Sequence, residues 1–303
     1  MVRSRSFALV LVALLASIAL WRPARADDTP RIAVVSAFAP EWTLLLGALE
    51  NRKDETIAGT TFATGRLEGK EVVLFLSGVS MVNAAMTTER ALDRFKITAI
   101  VFSGIAGGVD PGLSIGDVVV PDTWGQYLEL VMARQVGDGW KVPPFFGTPF
   151  PNYGMMFPQP VEIARAGAAK PEKLFWIAAD AKLVALAREI AATVKLDACA
   201  KGGACLSAPP KLAVGGKGVS GSAFVDNAAF RAWVFDTFKA EVLDMESAAV
   251  AHVASSHGVP FVVFRSLSDL AGGGPGENEI GTFFQLASDN SARVVKAFVA
   301  AMP

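Results

Sequence analysis

The sequence predicts an α/β fold: a single domain with a central mixed, largely parallel sheet flanked by helices. Three observations carry the prediction. Short apolar, β-branched runs alternate with segments of helical spacing along the chain, the pattern of a sheet covered on both faces. No Pro/Gly/Ser-rich linker splits the chain and no internal repeat is visible. Hydrophobic residues make up 52 % of the 303 residues, which suits a core-forming globular protein and excludes a disordered one. The formal net charge of −1 gives no electrostatic case for nucleic acid or an anionic membrane as partner.

The first residues set the compartment. "MVRSRSFALVLVALLASIALWRPARADDTP" has a basic start at Arg3 and Arg5, an apolar run from Phe7 to Trp21, and a small-x-small "ARA" before Asp27. That is the layout of an export signal cut after Ala26. The apolar run is short for a membrane span, which needs ~20 residues, although an uncleaved anchor is the alternative. The domain is therefore taken as 27–303, periplasmic or secreted, with no stable membrane association once the signal is removed.

From there the elements follow in order. "RIAVVSAF" (31–38) reads as a buried strand and "PEWTLLLGALE" (40–50) as a helix with Pro40 in its first turn, a favoured place for proline. "GTTFATGRLEGKEVVLFLSGVS" (59–80) reads as a hairpin turning at "LEGK", and "MVNAAMTTERALDRF" (81–95) as a helix. "ITAIVFSGIAGGV" (97–109) reads as a buried strand running into a Gly-rich turn, and "IGDVVVPDTW" (115–124) as another strand. Residues 133–175 read as irregular, with aromatics that serve as loop anchors or ligand contacts. Helices are expected at 181–194, 228–238 and from Thr282 to Met302, with strand and loop between 211 and 225. "EVLDM" reads as a strand, "SAAVAHVASSHG" as a helix and "PFVVFRSLSD" (260–269) as a buried strand.

The only cysteines, Cys199 and Cys205, flank Gly202 and Gly203. In an exported chain they are expected to form a local disulfide. His252 and His257 are the only histidines and show no ligand spacing, so neither a metal site nor a histidine-based triad is expected, and no cofactor is called for.

In sheets of this kind ligands bind beyond the carboxyl ends of the strands. Those ends carry Glu41, Ser77-Gly78, Ser103 to Gly108, Asp244-Met245-Glu246 and Ser266 to Asp269. Three carboxylates, a Gly-rich turn and several hydroxyls are thus candidates for one cleft. On a strand end Asp244 and Glu246, two apart, point the same way. Glu241 is expected to be solvated.

"SGIAGGVDPGLSIGDVVVPD" (103–122), "SGSAFV" (220–225), "DMESAAVAHVA" (244–254) and "VPFVVFRSLSD" (259–269) resemble, in motif, order and spacing, the nucleoside phosphorylase and nucleosidase superfamily. The resemblance is strongest to its methylthioadenosine/S-adenosylhomocysteine nucleosidase branch and covers the mature chain except about 125–180. It implies a nucleoside phosphorylase-like domain that breaks the N-glycosidic bond of a purine nucleoside and works as a homodimer or higher homo-oligomer. Asp269 matches the acid that protonates the leaving base, a task that needs a dry pocket. Ser268 and Arg265 match residues orienting that corner. Glu246 matches the carboxylate accepting from the ribose hydroxyls, with Met245 packed on the sugar. Phe224 matches the aromatic stacked on the base, Val225 offers its backbone to the base edge, and Ala106 and Gly107 line the substrate. Glu41 matches the base activating the attacking water, as in inverting glycosidases.

Read on their residues alone, several of these positions stay open. Glu41 also reads as a solvated first-turn acid after Pro40, Phe224 as core, "SGIAGG" as a structural turn, and Asp244 as a residue orienting a neighbour. The chain departs from the family pattern at Ile105, where a small hydroxyl residue is usual, at Ser222, where an acid is common, and slightly in "SGVSMVNAA" (77–85). The departures and the longer 125–180 stretch leave the 5′ substituent undefined. A phosphorylase and a non-catalytic binding or storage protein are the competing functions. The phosphorylase is disfavoured because Glu41 would repel phosphate and "SAFAPEW" supplies no cation.

Overall fold

The computed structural model describes residues 27–303; the export signal expected at 1–26 lies outside the described residues. One mixed sheet of twelve strands forms the centre, and six helices flank it among the described residues. Strand Asp27–Ser36 runs parallel to Lys70–Leu76 on one side and to Phe95–Gly108 on the other. Phe261–Asp269 then adds in parallel to Phe95–Gly108. All nine residues of Phe261–Asp269 are buried, which explains why the run reads as continuous rather than alternating hydrophobicity. One edge is an antiparallel meander that includes Glu50–Ile57 and Thr60–Leu67.

The long helix Ile280–Ala301 lies on the strand Phe261–Asp269. Phe298 packs against Phe264, with ring centroids 4.9 Å apart. Ser291 ties the helix to the sheet: its hydroxyl receives the Gly104 N–H at 3.1 Å and donates to the Phe264 carbonyl at 3.1 Å. These bonds satisfy polar groups that have no access to water.

Two expectations are corrected, and one strand stands where the sequence suggests no element. Ser103 to Gly108 is strand, not turn: Phe95–Gly108 continues through it, pairing along Phe261–Asp269 and, at its end, with Val242–Asp244. The glycines there serve close packing, because a Cβ on Gly104, Gly107 or Gly108 would meet Arg265, Ala271 or Leu267 at 1.9, 3.1 and 2.9 Å. Residues 133–175 hold short antiparallel pairs, among them Arg134–Val136 with Gly139–Lys141 and Val161–Ile163 with Glu172–Leu174. Phe150 and Tyr153 anchor this region, Phe150 packing at a tilt on Phe175 at 4.3 Å and Tyr153 edge-on against Phe230 at 5.1 Å. Glu50–Ile57, a run of polar residues, forms an edge strand that lacks an apolar pattern because six of its eight residues face solvent.

Candidate active site

The strand ends converge on a mainly apolar cleft of about 170 Å³. Glu41 enters it from the first turn of helix Ala39–Gly47. Its side chain is 1 % exposed, so it is no solvated acid. Its Oε2 accepts the N–H groups of Ala37 at 2.6 Å and Phe38 at 3.3 Å, and its Oε1 accepts that of Ile105 at 2.8 Å. The bond back to Phe38 is the acidic half of a capping box. Burial pushes the Glu41 carboxyl above its ordinary value, while Arg265 and the three N–H donors pull it back.

Asp244 closes the strand Val242–Asp244, and Glu246 starts the helix Ser247–His257. Both carboxylates turn toward Arg265, whose side chain is fully buried. Arg265 Nε lies 2.6 Å from Asp244 Oδ2, Nη2 3.4 Å from Glu246 Oε2, and Nη1 3.7 Å from Glu41 Oε1. The guanidinium stacks over the Phe102 ring at 4.1 Å. This corrects the expectation for Arg265: it neither lines the cleft nor orients the Asp269 corner, but sits behind three carboxylates. Burial raises the Glu246 carboxyl to about 7, with Arg265 opposing and Asp244 adding to the rise.

Asp269 ends its strand at the other side of the cleft. Its Oδ2 accepts the Ser268 hydroxyl at 2.8 Å and its Oδ1 accepts the Ala271 N–H at 2.8 Å. Burial pushes this carboxyl up as well, against those donors and Asn278. The loop that follows is locked to the segment carrying Phe224 and Val225. The Asn227 N–H donates to the Ala271 carbonyl at 3.1 Å, and Asn278 Nδ2 donates to Asp226 at 3.1 Å. Gly272 has φ +85°, and a Cβ there would sit 2.3 Å from the Asn227 nitrogen, so only glycine fits.

Phe224, Val225, Met245, Ala106, Gly107 and Ser268 all line the same cleft. Phe224 is 58 % exposed and therefore is not core; its ring stands at the rim. Glu241 is not solvated but half-buried, and accepts the Lys217 N–H; burial raises its carboxyl. His252 pairs with Gln126 and His257 with Glu89, away from the cleft.

Residues 31–300 match the model of the phosphorylase superfamily. The chain belongs to that superfamily. Among its relatives, a 5′-methylthioadenosine/S-adenosylhomocysteine nucleosidase of Halalkalibacterium halodurans is 32 % identical over 273 residues, spanning 89 % of this chain and 97 % of the relative. The Bacillus subtilis enzyme of the same name is 34 % identical over 242 residues, 80 % of this chain and 87 % of its own. Among solved structures, the Neisseria meningitidis nucleosidase in complex with methylthio-immucillin-A superposes with TM-score 0.66 at 26 % identity, covering 90 % of this chain and 99 % of that one.

Some cleft residues were not singled out from the sequence. Phe38, Val79 and Ile280 supply apolar lining, and the Ser80 N–H donates to Glu246 Oε1 at 2.9 Å. Ser220 and Ser247 bind Asp244 through their hydroxyls. For the two serines a signal existed: both sit within motifs that carry the family resemblance. The apolar lining has no signal beyond ordinary hydrophobicity.

Proposed function

We propose that this protein is an exported purine nucleosidase that hydrolyses the N-glycosidic bond of adenosine-type nucleosides. The observation that carries this reading is that two buried carboxyl groups, Glu41 and Asp269, line one cleft together with Glu246. In the reaction, Asp269 gives its proton to N7 of the base while the bond from the sugar C1′ to N9 breaks and its electron pair leaves with the base. Water adds to C1′, and Glu41 takes the water's proton. Products are the free base and a free sugar. The raised Asp269 carboxyl suits a group that must hold a proton. Burial raises the Glu41 carboxyl, and Arg265 with the Ala37, Phe38 and Ile105 N–H groups opposes that rise, which suits a group that must take a proton from water. Glu246 accepts from the ribose hydroxyls, Met245 packs on the sugar, Phe224 covers the base, and Val225, Ala106 and Gly107 shape the slot.

Water is favoured over phosphate as nucleophile. Among the described residues that line the cleft there is no Lys, Arg or His, and the one nearby cation, Arg265, is already surrounded by Asp244, Glu246 and Glu41. A phosphate dianion would meet Glu41 with nothing to offset it. The relatives' names support methylthioadenosine and S-adenosylhomocysteine as test substrates. Export would keep the enzyme from cytosolic S-adenosylhomocysteine, so plain adenosine belongs in the panel. A homo-oligomer is part of the reading, supported by the exposed Val82 and Met86 of helix Met81–Arg94. The test is incubation of the mature chain with a nucleoside panel, with and without phosphate, and chromatography of the products. Base release independent of phosphate is expected; ribose 1-phosphate would overturn the hydrolytic reading.

A further inference from the structure

We infer that Asp244 is a positioning residue for the ribose side of the cleft: it binds Arg265 through Nε and so keeps an oxygen of Glu246 free for the sugar. The inference rests on the nucleosidase reading for the identity of the sugar, but its geometry stands alone.

A carboxylate offers about four lone-pair sites, and those of Asp244 are filled from within the protein. Oδ1 accepts the N–H groups of Glu246 and Ser247, each at 3.2 Å, and the Ser220 hydroxyl. Oδ2 takes the Ser247 hydroxyl and Arg265 Nε at 2.6 Å. Nothing is left over for a ligand. Glu246 is the opposite case. Its Oε1 accepts one N–H, from Ser80 at 2.9 Å, and its Oε2 meets Arg265 Nη2 only at 3.4 Å. Two adjacent acids at one strand end are thus divided by what already occupies them.

Arg265 links the two. Its short contact is to Asp244, and its contacts to Glu246 and Glu41 are longer. Nε also donates to the Ser247 hydroxyl at 3.0 Å, and that hydroxyl is itself fixed by donating to Asp244; without the Asp244 charge both anchors loosen, and the guanidinium over the Phe102 ring is free to shift. Released, it would close on Glu246 in a two-pronged pair, the geometry arginine prefers with carboxylates. That would consume the acceptor the ribose needs. The charged groups facing Glu246 are Asp244, Arg265 and Glu41. Removing the Asp244 charge removes a repulsion and frees a cation, and both changes lower the pH at which Glu246 ionises.

The test is Asp244→Asn, with Ser220→Ala as a second variant that loosens Asp244 without removing its charge. Each is placed in an Asp269→Asn background, so that calorimetry can measure binding of adenosine and 2′-deoxyadenosine without turnover. The preference for adenosine should fall about tenfold in Asp244→Asn, the worth of one hydrogen bond to a charged group, and by less in Ser220→Ala. A second readout needs no ligand: in carbon-13 carboxyl titrations Glu246 should ionise at lower pH in Asp244→Asn than in wild type. Should neither nucleoside bind even the Asp269→Asn parent, the nucleosidase reading fails, and the Glu246 titration alone decides the role of Asp244. If Asp244→Asn does not fold, Ser220→Ala carries both readouts. Unchanged sugar preference or an unmoved Glu246 titration in the folded variants overturns the inference.

Discussion

Gly104 and Arg265 share one space: a Cβ on Gly104 would lie 1.9 Å from Arg265 Nη1 and 2.6 Å from Glu41 Oε1. The guanidinium can reach between the carboxylates only because the strand beside it carries no side chain there. Gly104→Ala should therefore displace Arg265 and Glu41 together. Overpacking of this kind costs about 2–3 kcal/mol, and turnover should fall with it. Denaturant melts and initial rates on adenosine check both effects; wild-type stability would show that the strand simply yields.

Asp269→Asn keeps the shape of the group and removes the proton it can give. Base release should drop on the order of 10²–10⁴-fold, with the circular-dichroism spectrum unchanged. Ser268→Ala removes one donor that favours the ionised form of Asp269, so it should extend activity toward higher pH. Undiminished turnover in Asp269→Asn would remove Asp269 from the mechanism.

Glu41→Gln should stop turnover and leave nucleoside binding largely intact. The carboxamide can still fill the space and accept the Ile105 N–H, but it takes no proton from water. Single-turnover rates together with equilibrium binding separate the two effects. A variant that turns over normally would end the role of Glu41 as base.

Stability should fall, not rise, as pH increases from about 4.5 to about 7. Burial chiefly lifts the Glu246 carboxyl from 4.5 to about 7. A group whose folded value exceeds its unfolded one binds its proton more tightly when folded. Its stabilisation is complete below the unfolded value and is lost as pH rises through the folded one. The shift corresponds to about 3 kcal/mol. Urea melts of wild type and Glu246→Gln across this range should diverge by that order; parallel curves would contradict it.

The bond between Cys199 and Cys205, six residues apart, closes so short a loop that its loss should cost about 2 kcal/mol. Thermal melts of the Cys199→Ser, Cys205→Ser double variant measure it. A loss much larger than this would mean that the loop supports more than itself.

Much of the fold was legible because periodicity and burial agree in the central strands: Phe261–Asp269 and helix Ala228–Phe238 could be read nearly to the residue. The edge strand Glu50–Ile57 could not, because backbone pairing alone holds a polar run in place. The Ser103 to Gly108 segment misled for a different reason. Glycine marks turns by its backbone freedom and tight packing by its missing Cβ, and sequence does not say which is in use. In the site, the family resemblance pointed to Glu246 and Asp269 within its motifs and to Glu41 outside them, and all three line one cleft, but charge pairing is a matter of distance. That Arg265 serves the Glu41, Asp244 and Glu246 carboxylates and not Asp269 could only come from coordinates.

The interlock of the Asp226–Asn227 segment with the loop after Asp269 has a consequence for how such a cleft changes over time. These two sides of the cleft lie some forty positions apart in the chain, yet Gly272 leaves no slack between them. A single replacement that widens one side strains the other. Adaptation to a bulkier base would thus need paired replacements, so base preference should persist through long sequence drift and then shift abruptly.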